Sequence, residues 1–269
     1  MKFGVIHYNL AQFSFEQFLD YCRETGFEYI EVWLGDVWKE TEAGSMKKAE
    51  EVRRELDKRG LKAGALSLGN DFIQSDPEVI RQQVERTRKV CALAKLLGTD
   101  TLRTEGGTPK DTVPEWRWVD SMAECLKRCC EFAEPMGIKF AVDNHGWCTN
   151  DGDRQLALIE AVGSRCVGVN LDTMNYRWFG HDLETIRRYY RILAPYVFHT
   201  HMKDGTGSRQ KYVGAVLGEG EIELVYAVRC LKQAGYDGVW CAEYEGREDT
   251  AVGYRKCLEW MKREIPRIV

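Results

Sequence analysis

Four residues of metal-binding type end four successive short apolar runs in the second half of the chain. Asp143 follows Ala141-Val142, Asp172 follows Asn170-Leu171, His201 follows His199-Thr200, and Glu243 follows Cys241-Ala242. Three carboxylates and an imidazole form a donor set for a borderline or hard divalent ion, Mn²⁺ first, with Mg²⁺, Co²⁺ and Zn²⁺ as alternatives. If the runs are adjacent parallel strands, their ends lie about 5 Å apart and one ion can meet all four side chains. A single strand-end carboxylate often caps a helix or pairs with a lysine; four in succession point to a shared ligand.

His145 lies two residues beyond Asp143, on the same face if the strand continues. An imidazole can both take up and release a proton near neutrality, so His145 and Glu243 are the candidate catalytic groups. His7, Glu31, Trp147, Asn175, Trp178 and Glu245 end or follow apolar runs and are candidate substrate-binding residues. Aromatic faces such as Trp147 and Trp178 suit the walls of a small-molecule pocket. His199 reads as core beneath His201, and Lys203 as a solvated charge or a contact to an anionic substrate group.

Such a set needs a scaffold, and the chain supplies a regular alternation. Strands are expected over 3–6, 29–33, 61–68, 99–104, 138–142, 167–171, 197–200 and 239–242, each followed by an amphipathic stretch. Ser14 with Gln17 reads as a capping box, Pro77 follows Asp76 at a first helical position, and Asp182 caps a later helix. Gly26, Gly60, Gly98, Gly137 and Gly235 stand where helices should stop. Eight strand–helix alternations predict an α/β fold, a single (β/α)8 TIM barrel domain over residues 1–269, with its reacting groups at the carboxyl ends of the strands. The rival, an open doubly wound sheet, would carry G-x-G-x-x-G after its first strand, and Val5-Ile6-His7-Tyr8-Asn9 does not.

Composition narrows the function. With 38 Lys+Arg against 42 Asp+Glu and a pI near 5.9, the chain has no general attraction for nucleic acid. No apolar run approaches the roughly 20 residues of a membrane span, so no membrane partner is expected. The opening MKFGVIHYNL reads as a first strand rather than a signal peptide. Ten cysteines without a C-x-x-C pair read as reduced, buried thiols of a cytoplasmic protein. A homo-oligomer or a partner subunit stays open.

These segments resemble a known family. Ala141-Val142-Asp143-Asn144-His145-Gly146 is similar to the "ENH" motif of the xylose isomerase-like sugar phosphate isomerase/epimerase superfamily. Asn170 to Asn175 resembles its "LDTGN", His199 to Asp204 its "HVHLKD", and Gly218 to Glu221 its "GEGE". Gly235 to Gly238 with Glu243 looks like "GYDG…E", and Glu24 to Trp33 like "GFEGVEL". The resemblance covers nearly the whole chain and implies the same four ligands, with Asp143 where the family usually has Glu. Ketose 3-epimerases of the superfamily use the glutamates of strands five and eight as opposed proton carriers. Asp143, drawn back by about 1.5 Å, disfavours that symmetric arrangement and makes His145 the replacement. The trinuclear endonuclease branch needs more histidines than the five present.

The resemblance therefore implies a divalent-metal-dependent isomerase or epimerase acting on a ketose or keto-sugar derivative through an enediolate. The alternatives are a metal-dependent lyase or dehydratase on a keto-sugar or inosose, including the C-glycoside-cleaving subunit type with a histidine base, and a non-catalytic sugar-binding subunit.

Overall fold

A computed structural model describes residues 1–269, the side chain of Tyr8 excepted. Its strands are β1 (Lys2–Ile6), β2 (Tyr29–Val32), β3 (Lys62–Ser67), β4 (Thr101–Thr104), β5 (Lys139–Asp143), β6 (Val167–Asp172), β7 (Val197–Met202), β8 (Asp204–Thr206), β9 (Val213–Ala215) and β10 (Val239–Ala242). Eight of them close into a parallel barrel in the order β1-β10-β7-β6-β5-β4-β3-β2, as the alternation predicts. The helices are α1 (Phe15–Thr25), α2 (Leu34–Val37), α3 (Glu42–Lys58), α4 (Pro77–Leu97), α5 (Trp118–Met136), α6 (Gly152–Val162), α7 (Asn175–Phe179), α8 (Leu183–Leu193), α9 (Leu224–Gln233) and α10 (Thr250–Glu264). All six residues of β6 are buried, as a strand covered on both faces requires.

Local chemistry sets the ends. Gln17 N–H donates to Ser14 Oγ at 3.2 Å and Ser14 N–H to Gln17 Oε1 at 2.8 Å, completing the capping box of α1. Two expected strands start later than 99 and 138. Gly98 and Gly137 take the left-handed conformation at φ 81° and 67°, and the next residues donate back into their helices, Thr99 N–H to Ala94 O and Ile138 N–H to Ala133 O. Thr99 and Ile138 thus belong to helix stops rather than to strands. Conversely, β7 extends past 200, because His201 and Met202 still pair with Cys241 and Ala242.

The short antiparallel pair β8–β9 and the helices α2 and α7 are absent from the expected alternation. They lie in loops after barrel strands, at the carboxyl-end rim. Asp204 pins this region. One of its carboxylate oxygens accepts the N–H of Gly205 (2.8 Å) and Ile222 (3.2 Å), the other that of Gly218 (2.9 Å) and Gly220 (3.1 Å). The Gly218 to Glu221 stretch is therefore wrapped around a buried carboxylate. Burial pushes that carboxyl's pKa up while the four donors pull it down.

Replacing Asp204 by Asn would face an amide N–H₂ toward backbone donors. Leaving buried donors unmet costs about 1–3 kcal/mol. D204N is expected to lower the urea unfolding midpoint accordingly; an unchanged midpoint would show that these contacts contribute nothing.

Candidate metal centre and active site

Strand register brings the functional side chains together. Asp172 stands beside His201 across β6–β7, and His201 beside Cys241 across β7–β10. Glu243 follows β10 directly, its N–H still bonded to Met202 O at 3.0 Å. One ligand atom each from Asp172, His201 and Glu243 lies within 4.8 Å of the others, in buried surroundings.

Asp143 pairs instead with Asn170, two residues before Asp172. Its Oδ1 accepts from Asn170 Nδ2 at 2.8 Å, and its Oδ2 lies 2.7 Å from an Arg103 guanidinium nitrogen. Three of the four expected ligands thus form one cluster, and the fourth sits beside it on an arginine. Burial works against the Arg103 charge, but Asp143, Glu31, Glu105 and Glu243 outweigh it and hold the group protonated.

Glu31 lies beneath the cluster. Its Oε2 is 2.7 Å from His201 Nε2 and 3.1 Å from His199 Nε2. Burial opposes the Glu31 charge, yet the two imidazoles and Arg103 keep it ionised well below the usual carboxylate range. Desolvation lowers the pKa of His199, while His201 is raised because Glu31 and Glu243 outweigh its burial. A metal-bound histidine typically gives its second ring nitrogen to a carboxylate, which fixes its orientation. Glu31 does this for His201 and leaves Nδ1 on the side of Glu243, at 2.9 Å from Oε2.

Asp172 Oδ2, 3.6 Å from Lys203 Nζ, is buried without a hydrogen bond, and His201 Nδ1, although it faces Glu243 Oε2, makes no well-aligned one. Buried atoms in that state are costly, and a divalent ion would satisfy both, so the donor set fits a metal. Met174 and Asn175 donate their N–H groups to Asp172 Oδ1 at 2.7 and 2.9 Å, orienting the carboxylate. Burial raises Asp172 to about 7; Lys203 lowers it, and the charges of Glu243 and Asp143 add to the rise.

Lys203 corrects a sequence expectation, being buried rather than solvated. Its Nζ lies 2.8 Å from Glu243 Oε1, 3.2 Å from Glu245 Oε2 and 3.6 Å from Asp172 Oδ2. Burial works against both Lys203 and Glu243, but Asp172, Glu243 and Glu245 outweigh it for Lys203, which is raised, and Lys203 and His201 outweigh it for Glu243, which is lowered. Arg103 ends the fourth expected strand, where the barrel rule places functional groups, but its contact with Asp143 depends on register.

A cavity of about 250 Å³ opens above the cluster. His7, Glu31, Arg103, His145, His201, Glu243 and Glu245 line it, so both candidate catalytic groups face the same space. His145 is exposed on its wall. His7 is fixed by Asp36 Oδ2 at 2.7 Å and stacks on Phe18. Asn175 is placed differently: its Oδ1 accepts from Lys203 Nζ at 3.3 Å outside the cavity lining. Trp147, 50% exposed, packs edge-on to Phe179 beneath Arg209. Neither it nor Trp178 is among the described residues that line the cavity. A larger cavity, about 670 Å³, lies at the opposite end of the barrel, between Lys2, Lys95 and Lys139; of the site residues only His199 reaches it.

Comparison with known proteins agrees with the barrel fold. The family model described as "Xylose isomerase-like TIM barrel" matches residues 19–264. An "Inosose isomerase" of Halalkalibacterium halodurans is 23% identical over 235 residues, covering 84% of this chain and 80% of the relative. The crystal structure of "IOLI protein with a binding zinc atom" superposes with a TM-score of 0.82 at 18% identity, covering 100% of this chain and 99% of that one. A D-psicose 3-epimerase solved in the presence of D-fructose superposes with a TM-score of 0.78 at 15% identity, covering 98% and 99%. No helix of the described residues is long and apolar enough to cross a membrane.

Two outcomes follow from the electrostatics. A divalent ion must displace the proton of His201 and, below about pH 7, that of Asp172 as well. Affinity measured by calorimetry should therefore fall as pH falls from 8 to 6, more steeply below 7; a flat profile contradicts these assignments. Glu31→Gln should weaken divalent-ion binding about 10- to 100-fold by releasing the His201 ring, with the fold retained by circular dichroism. Unchanged affinity would remove Glu31 from this role.

Proposed function

The chain belongs to the xylose isomerase-like TIM barrel family, and from that premise we propose that it is a divalent-metal-dependent isomerase or epimerase of a ketose or keto-sugar derivative, inososes included. The observation that carries the reading is the buried Asp172–His201–Glu243 cluster, whose members His201 and Glu243 line a cavity that His145 also lines. The cavity is smaller than the roughly 300–1,000 Å³ of drug-sized sites and suits a small polyol.

In this reading Asp172, His201 and Glu243 hold the ion, with Zn²⁺, Mg²⁺, Mn²⁺ and Co²⁺ all compatible with the donor set. When bound, the ion supplies Lewis-acid polarisation of a carbonyl oxygen, which acidifies the neighbouring C–H. Glu243 is held ionised by Lys203 and His201, which suits a ligand more than a proton carrier. His145 lines the cavity with no ion pair to its ring among the described residues, and takes the proton from carbon. Redelivery to the adjacent carbon isomerises the sugar; redelivery to the opposite face epimerises it. His7 and Glu245 offer hydrogen bonds to substrate hydroxyls.

One observation favours a second reading. Epimerisation by two carboxylates needs a free carboxylate on strand five, and Asp143 is engaged by Arg103 and Asn170. A single base at His145 also serves elimination, in which the carbanion expels a β-substituent, as in a keto-sugar lyase or dehydratase.

Solvent exchange tests both. With a divalent ion present, the protein should exchange the α-proton of at least one keto-sugar or inosose for deuterium in D₂O, followed by NMR. H145A should lower the rate about 10²- to 10⁴-fold with ion affinity unchanged. Product structure separates isomerisation from elimination. No exchange from any keto-sugar would favour a sugar-binding subunit, and full exchange by H145A would remove His145 as the base.

A further inference from the structure

A second chemically notable cluster lies away from the barrel mouth. Cys130 in α5 and Cys166, just before β6, are separated by 36 residues, yet their sulfurs approach to 2.7 Å. That is inside the roughly 3.5–4.0 Å preferred by non-bonded carbon atoms, and sulfur is larger. Ser164 Oγ lies 3.2 Å from Cys166 Sγ and accepts the Cys166 N–H at 3.0 Å. Ser164 also bonds the carboxylate of Glu134, which completes a Cys–Glu–Cys group within 4.8 Å.

This pair differs from seven of the other eight cysteines, Cys230 being more exposed still. Cys22, Cys91, Cys125, Cys129, Cys148, Cys241 and Cys257 are all 0% exposed, whereas Cys130 is 6% and Cys166 5% exposed. The pair lies just under the surface, beside the exposed Glu134 and Arg165. Burial raises the sealed thiols, as at Cys91 and Cys125, each to about 12. Cys166 is shifted the other way, chiefly by its hydrogen bond with Cys130, with Ser164 assisting. Reactivity follows thiolate character and access together.

We propose that Cys130 and Cys166 form an oxidisable dithiol, a disulfide-forming site for a peroxide. The Cys166 thiolate attacks one peroxide oxygen; an S–O bond forms, the O–O bond breaks, and hydroxide leaves. The hydroxide takes the Cys130 proton and becomes water. The Cys130 thiolate then attacks the sulfenic sulfur; the S–S bond forms, the S–O bond breaks, and the second hydroxide takes up through solvent the proton that Cys166 released on becoming a thiolate, giving water. Two thiols lose two electrons and one peroxide becomes two waters. The bridge ties α5 to the start of the strand whose far end carries Asp172. A metal held by the same two sulfurs and Glu134 is the competing outcome; the sulfurs stand closer together than two ligands of one ion would.

The test uses the full-length protein and one equivalent of hydrogen peroxide. Thiols titrated after denaturation should fall from ten to eight, and peptide mapping should show Cys130 linked to Cys166, reversed by dithiothreitol. In C130S the link should be lost and Cys166 should be trapped as a sulfenic acid by dimedone. The wild-type mapping stands alone should that variant fold poorly. Oxidation of the more exposed Cys230 with the pair left reduced would overturn the proposal. So would a zinc ion released by a chelator from Cys130, Glu134 and Cys166 that had shielded both thiols.

Discussion

The hydrogen bond from His201 to the buried carboxylate of Glu31 is the contact on which the barrel mouth depends. A carboxylate at that depth persists as an anion only because His201, His199 and Arg103 surround it with positive charge or donors. In return it fixes the ring, so that His201 turns its other nitrogen toward Glu243 beside Asp172. Six acidic groups, Glu31, Glu105, Asp143, Asp172, Glu243 and Glu245, share this mouth with the cationic Arg103, His201 and Lys203. In so little water, removing one partner leaves a charge uncompensated, so the cluster stands or falls together.

The compensation divides along the strands. Arg103 serves Asp143 and Glu105 on one side, while Lys203 serves Glu243, Glu245 and Asp172 on the other. Asp172 is the least compensated carboxyl, which is why burial lifts it to about 7. The fifth-strand carboxylate, by contrast, is neutralised within the protein itself. This asymmetry points away from a matched pair of proton-carrying carboxylates and toward one base over a three-residue cation site.

Much of this was legible in the amino-acid order. Period and helix stops foretold the eight-fold barrel, Ser14 and Gln17 the first cap, and the strand ends Asp172, His201 and Glu243. What escaped depends on contacts between distant strands. The engagement of Asp143 by Arg103 needs the β4–β5 register, and the burial of Lys203 needs Asp172, Asn175, Glu243 and Glu245 brought around it from separate strand ends. Trp147 and Trp178 had the right chemistry for a sugar pocket, but loop direction, which composition does not encode, places them outside its lining. Cys130 and Cys166 read only as two of ten reduced, buried thiols; their proximity is a product of tertiary folding alone.

The most direct test is anomalous diffraction from crystals soaked in Mn²⁺ or Zn²⁺. The account predicts one strong peak at bonding distance from Asp172, His201 and Glu243, with Asp143 still paired to Arg103. A peak ligated by Asp143 with Arg103 displaced, or no peak at the carboxyl-end mouth, would contradict it.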